Sequence, residues 1–479
     1  VRGLAHCPTG IDGLDVITGG GLPRDRTTLV AGGPGCGKTM LAAEFLVRGA
    51  AMGEPGVFLA FEETAEELSA NVASLGWDLQ QLCQDGLLVV DHVRVEREHI
   101  AQTGDYDLEA LFIRLGYAID SIGAKRVVLD TIEVLFSALD DTATLRAELR
   151  RLFHWLKGKG VTAIVTAERG EGTLTRHGLE EYVADCVITL DHRIDDQRAV
   201  RRIRVIKLRG SQHSANEYPF VIADDGFSVV PLTSFDLSHP ASSDVISTGV
   251  AGLDAMLERG GWYRGSVTMI SGESGTGKST FAAAFADAAC RGGERCLYLA
   301  FEESEPQMVR NMASVGLKLD RWTKRKLLRI HASRPTQLGL EGHLTMLYRQ
   351  VEQYEPTVVV VDPITDFTAV GTALEVKALL MRIIDYLKNR QITAVLTNLV
   401  HQDQENTTVS SLIDNWVQLR NLENDYQRDR GVFIQKARGM SHSNQIREFQ
   451  LDRRGIHLLD VVAGPSGVVT GRARGAKGE

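Results

Sequence analysis

The stretch Gly32-Gly33-Pro34-Gly35-Cys36-Gly37-Lys38-Thr39 returns 240 residues later as Gly272-Glu273-Ser274-Gly275-Thr276-Gly277-Lys278-Ser279. Both fit G-x-x-x-x-G-K-[ST] at every fixed position. In such a loop the glycines let backbone N–H groups turn toward phosphate oxygens. The lysine reaches the β- and γ-phosphates, and the hydroxyl ligates Mg²⁺. One match can arise by chance; two in matching surroundings predict two nucleotide sites in one chain.

The surroundings do match. Thr9-Gly10-Ile11-Asp12-Gly13-Leu14-Asp15 answers to Thr248-Gly249-Val250-Ala251-Gly252-Leu253-Asp254. A Phe-Glu-Glu triplet, Phe61-Glu62-Glu63 and Phe301-Glu302-Glu303, places its first glutamate 24 residues after the lysine in both halves. Asn71…Ser74-Leu75-Gly76 answers to Asn311…Ser314-Val315-Gly316, and Lys207-Leu208-Arg209-Gly210 to Lys436-Ala437-Arg438-Gly439. The chain therefore reads as a duplication: one domain over 1–236, a Ser/His/Pro-containing linker over Ser234–Asp244, a second domain over 245–462, and a short flexible tail, 463–479.

Within each half, β-branched runs alternate with helical patterns. Thr27–Ala31 and Val267–Ser271 read as strands feeding the loops. Met40–Ala51 and Thr280–Arg291 read as the helices that follow. Arg126–Asp130 and Thr357–Asp362 are largely apolar runs ending in Asp, as suits strands buried on both faces of a parallel sheet. Val161–Thr166 and Thr393–Thr397 read as the next strands. The fold class expected is α/β, with two tandem P-loop domains on mainly parallel sheets and nucleotide sites at the carboxyl ends of strands.

A net charge of −9 argues against broad nucleic-acid binding, which needs a basic surface. The six cysteines form no C-x-x-C pair and suggest neither a zinc site nor a disulfide framework, so a cytoplasmic setting is expected. No apolar run reaches the roughly 18 residues of a membrane span.

Phosphoryl transfer needs charge neutralisation, an aligned nucleophile and a base or orienting group. Lys38 and Lys278 supply charge; Thr39 and Ser279 supply the Mg²⁺ hydroxyl. Asp130 and Asp362 end apolar strands where a carboxylate can hold Mg²⁺ through water. Glu62-Glu63 and Glu302-Glu303 follow strand patterns directly, so they belong at strand tips beside the γ-phosphate, able to orient or deprotonate the attacking oxygen. The bland alternative is a helix N-terminus, where glutamate complements the dipole; spacing does not decide which glutamate of a pair reacts. Lys207/Arg209 and Lys436/Arg438 suit a phosphate-contacting finger, acting in cis or on a neighbouring subunit. His213 and His442 follow at the same offset.

With the tandem loops, the paired glutamates, K-L-R-G at 207–210, K-A-R-G at 436–439 and Ile446-Arg447-Glu448-Phe449, the chain resembles the KaiC family of double-lobed, RecA-like clock ATPases. The resemblance runs from about Thr9 to about His457. It implies a homohexamer of two stacked rings holding ATP or ADP with Mg²⁺ between subunits. The first lobe would be a slow ATPase using Glu62 and Glu63. The second would be an autokinase, able also to return phosphate to ADP, using Glu302 and Glu303, with Glu302 also near the metal. The implied nucleotide contacts are Gly33, Gly35, Cys36, Gly37, Lys38, Thr39, Ser74, Lys207, Leu208, Arg209, His213 and Asp224 in the first lobe. In the second they are Ser274, Gly275, Thr276, Gly277, Lys278, Ser279, Lys436, Arg438 and His442. Ser410 and Ser411 align with the family's paired phosphorylation sites.

There are departures: Ser-Ser replaces Ser-Thr, Pro363 follows the second aspartate where Ser is usual, Val315 stands where an aromatic residue can lie near adenine, and the tail is short and Gly-rich. A homologue working without KaiA is expected, with a KaiB-like protein as a partner and either a clock or a stress-signalling output. The competing readings are a RecA-type DNA-dependent ATPase, which predicts stimulation by single-stranded DNA, and a nucleotide-sensing scaffold with little turnover.

Overall fold

The computed structural model describes residues 5–93, 109–136, 142–170, 183–195, 198–231, 241–400, 411–424, 427–459, 461–464 and 467–470. The chain divides into two units, Val1–Thr233 and Ser234–Glu479. Each is built on a nine-stranded sheet of identical strand order.

In the first unit the loop strand, Thr27–Gly32, lies mid-sheet and pairs in parallel with Thr162–Glu168 on one side and Cys186–Asp195 on the other. Beyond Thr162–Glu168 come Arg126–Asp130, Gly56–Ala60 and Leu88–His92, all parallel. Beyond Cys186–Asp195 the sheet turns antiparallel through Arg198–Leu208, Glu217–Ala223 and Gly226–Val229. The second unit repeats this around Val267–Gly272. The fold is α/β, with six parallel strands in each sheet extended by an antiparallel meander.

The loop strand buries both faces: Val30 belongs to one apolar layer and Leu29 to the layer on the opposite side. This is why the sequence there is almost continuously apolar rather than alternating. The helices after the loops start at the lysines, Lys38–Ala51 and Lys278–Arg291, two residues earlier than periodicity predicts. The loop lysine is already helical, but its neighbours carry no apolar repeat to announce it.

Two buried polar groups, Arg126 and Glu44, position the first lobe's parts. Arg126 is fully buried, donating to Glu54 Oε2 at 2.8 Å, Phe45 O at 2.7 Å and Pro8 O at 2.8 Å, with its guanidinium over the Phe45 ring. Gly49 makes room for it: a Cβ there would lie 2.4 Å from Arg126 Cδ. Glu44, also fully buried, accepts from Phe227 N–H at 2.7 Å and pairs with Arg48 at 3.1 Å. It thereby ties the meander hairpin to the loop helix. Burial pushes its carboxyl up to about 7, against the Phe227 N–H and Arg48.

The segment expected to be a tail includes a small hairpin, Val461–Gly464 paired with Gly467–Thr470. Most of the expected linker lies outside the described residues. All six cysteines are free. Among the described residues no helix is long and apolar enough to cross a membrane.

Candidate functional site

Both phosphate loops leave the carboxyl end of the loop strand and close on the next helix. Lys38 Nζ, on a largely buried side chain, donates to Gly32 O at 2.9 Å and Gly33 O at 3.1 Å. Lys278 Nζ does the same to Gly272 O at 3.0 Å and Glu273 O at 2.9 Å. Burial pushes the Lys278 ammonium below the usual lysine range, against the pull of Asp362 and Glu302. Gly37 and Gly277 both have φ 103°, the left-handed region that only glycine enters without strain. Gly33, Gly35 and Gly275 have open space where a Cβ would point, which leaves the backbone free to approach phosphate. The Asp224 hairpin sits beside the first loop, since its residues Ile222 and Phe227 pack against Gly37.

The aspartates end the strand that pairs with the glutamate strand: Asp130 is level with Ala60, and Asp362 with Ala300. Thr166 donates to Asp130 Oδ1 and Thr397 to Asp362 Oδ1. Burial raises the Asp130 carboxyl, while hydrogen bonds from Thr166 and Thr39 and the charge of Lys38 pull it down. The peptide after each aspartate is cis, with Thr131 in the first lobe and Pro363 in the second. Among the described residues no three His, Cys, Asp or Glu side chains cluster as a metal cage. One hydroxyl and one carboxylate per loop is instead the sparse donor set that suits Mg²⁺, whose remaining ligands are water and substrate phosphates. Thr39 with Asp130, and Ser279 with Asp362, fit that role.

The glutamate pairs sit at strand tips, just ahead of helices. Thr64 caps Ala65–Ala73, its hydroxyl accepting from Glu67 N–H at 3.3 Å while Glu67 Oε2 accepts from Thr64 N–H at 2.9 Å. Gln307 Oε1 accepts from Ser304 N–H at 3.1 Å ahead of Glu305–Ser314. The pairs therefore precede the caps and are not themselves the capping residues. Asn71 donates to Glu63 Oε2 at 3.2 Å, and Asn311 to Glu303 Oε1 at 3.0 Å. Thr131 Oγ1 donates to Glu62 Oε1 at 3.3 Å. Glu302 is pushed above the usual glutamate range, first by burial, then by Asp366 and Asp362, with Lys278 opposing. A polar cleft of about 210 Å³ opens beside it, lined by Glu302, Glu303, Gln307, Ser333, Arg334 and Gln337. Ser74 and Ser314 close the helices after these pairs, each donating to the Asn carbonyl three residues back.

The K-x-R residues do not join this constellation within one lobe. Lys207 is level with Val187, and Val187 with Leu29. The phosphate loop begins three residues farther along and two strands across, about 10 Å in each direction. Lys436 occupies the same place, level with Trp416 and so with Met269. Their side chains point away: Lys436 Nζ donates to Ile413 O at 2.7 Å and Arg438 to Ser411 O at 2.8 Å, while Arg209 pairs with Asp185 at 3.5 Å. Leu208 is buried. His213 and His442 follow in the loops beyond, His442 bridging to Leu257. Ser411 is exposed; Ser410 lies outside the described residues.

Sequence reasoning missed Asp366, Tyr298 and the two asparagines. Asn71 and Asn311 were visible as repeated positions, but only the fold shows that they face the glutamates.

A family model described as "ATPase: KaiC" matches residues 7–234 and again 246–462. This chain belongs to the KaiC family. It is 53% identical to the circadian clock protein KaiC2 of Synechocystis, over 98% of this chain and 84% of that protein. It is 35% identical to KaiC3 of the same organism, over 98% and 94%. Against the circadian clock oscillator protein KaiC of Parathermosynechococcus lividus the identity is 34%, over 98% and 88%. The KaiC-type ATPase unit is thus present twice, and the two units coincide with the two sheets.

Proposed function

We propose that both lobes bind Mg²⁺·ATP, that the first hydrolyses it slowly, and that the second transfers its γ-phosphate to Ser410 or Ser411 and can return it to ADP. The observation that carries this reading is the doubled arrangement of loop lysine, strand-end aspartate and strand-tip glutamates at one end of each sheet. In the second lobe Glu302, held above the usual glutamate range by burial and by Asp366 and Asp362, deprotonates the acceptor. Lys278 and the loop N–H groups hold the phosphates, and Ser279 and Asp362 would hold a Mg²⁺ ion supplying further charge neutralisation when bound.

The K-x-R residues lie at the far end of their own sheet, which favours their acting on a nucleotide held by a neighbouring subunit. This supports a closed homohexamer with nucleotide at each boundary. Phosphate on Ser410 or Ser411 adds about 1.5–2 negative charges near Arg438 and so biases the packing at that boundary. A KaiB-like protein reading the ring, in a clock or stress output, completes the proposal.

Intact-mass and phosphopeptide analysis after incubation with Mg²⁺·ATP tests it. Phosphate on Ser410 or Ser411, lost in Ser410→Ala/Ser411→Ala, is expected. Steady ADP release with no phosphate on the chain would leave an ATPase without the kinase.

A further inference from the structure

The two lobes differ in how the metal-side aspartate is held. Tyr298 lies on the glutamate strand, two residues before Ala300, the residue level with Asp362. Its ring is fully buried in the second lobe's apolar layer. Its hydroxyl runs forward to Asp362 and donates to Oδ2 at 2.6 Å. Thr397 donates to Oδ1 of the same carboxylate. Each Asp362 oxygen is therefore tied by one hydroxyl, from opposite sides of its strand. In the first lobe the register is the same, with Ala60 level with Asp130, but the residue two before Ala60 is Phe58, which carries no hydroxyl.

We propose that Tyr298 is a positioning residue of the second lobe. With Thr397, it fixes the plane of the Asp362 carboxylate and thereby the water-mediated hold of that lobe on its divalent cation. This rests on the reading of Asp362 as the metal-side carboxylate. Partners that orient a metal-binding group commonly matter by tenfold or more in affinity when removed. A carboxylate acting through water needs its orientation as much as its charge.

The test is a Mn²⁺ titration of the full chain with a non-hydrolysable ATP analogue, free Mn²⁺ being read by electron paramagnetic resonance. Wild type is expected to show two classes of site per chain. Tyr298→Phe keeps the packed ring and is expected to weaken one class about tenfold. The other class, and analogue binding without metal, should stay unchanged. Near-ultraviolet circular dichroism checks that the variant is folded; if it is not, Thr397→Val loosens the same carboxylate from its other side and is expected to weaken the same class. A folded variant with both classes unchanged overturns the inference while leaving the nucleotide sites intact. Mn²⁺ binding that Asp362→Asn leaves unchanged overturns the metal role of Asp362, and the inference with it.

Discussion

Asn311 holds Glu303 by a side-chain hydrogen bond of 3.0 Å, and the bond recurs between Asn71 and Glu63 at 3.2 Å. Glutamates that spacing could not separate are thus separated by their partners. The second of each pair is tethered to the following helix; the first meets Thr131 in the first lobe and the charges of Asp366 and Asp362 in the second. In the second lobe we expect Glu302→Gln to slow phosphate transfer at least about 100-fold, the lower range for loss of a general base. Glu303→Gln, which keeps an oxygen for Asn311, should cost roughly tenfold or less. Single-turnover transfer from labelled ATP measures both; equal losses would remove the assignment.

The pH profile follows from the same group. A base works only when deprotonated, and Glu302 is raised by burial and by Asp366 and Asp362. Transfer should therefore fail, as pH falls, at a higher pH than an ordinary glutamate would impose. Asp366→Asn removes one of the raising charges and should move this acidic limb downward. A limb that does not move in a pH–rate profile argues against Glu302 as the titrating base.

The loop glycines should differ in tolerance. Gly37 and Gly277 share φ 103°, so alanine is strained at both. In the first lobe the new Cβ would also lie 2.7 Å from Ile222 Cδ1, whereas in the second its nearest neighbour is Leu451 at 3.4 Å. Gly37→Ala should lower stability by about 1–3 kcal/mol more than Gly277→Ala, the usual cost of overpacking. Denaturant unfolding of the full-length variants compares them.

Glu44 makes stability depend on pH. Its folded value of about 7 lies above the ordinary 4.5. Its contribution is complete below the ordinary value and is lost as pH rises through about 7. Glu44→Gln should flatten this dependence, leaving the variant more stable than wild type above that pH by on the order of 1–3 kcal/mol. Melting temperatures at acidic and alkaline pH give the comparison. A wild type that gains stability on Glu44 ionisation would reverse the sign.

The sequence revealed what is periodic or repeated. The loops, the strands around them and both strand-end aspartates were legible because each is local, and because the duplication shows each twice. What bridges distant segments was not. Tyr298 and Asp362 stand 64 residues apart, and in sequence Tyr298 is only another apolar strand residue. Arg126 was absorbed into an apolar run, although its charge is met by Glu54 and two carbonyls far from it in the chain. The antiparallel meander beyond Cys186–Asp195 carries the K-x-R motif, but nothing in its spacing gives the strand order or register. Only its register shows that the K-x-R cations, whose partner site the sequence left open, lie away from their own loop.

That placement has a genetic consequence. If a chain's cations serve another chain's nucleotide, injury to them falls on the neighbour. A chain lacking Lys278 and a chain lacking Lys436 and Arg438 would each be inactive alone in the second lobe. Mixed, they would create some boundaries at which an intact loop meets an intact finger, and activity would reappear from two dead parents. Such complementation, rising and falling with mixing ratio, would make the boundary between chains, rather than the chain, the unit of inheritance for this activity.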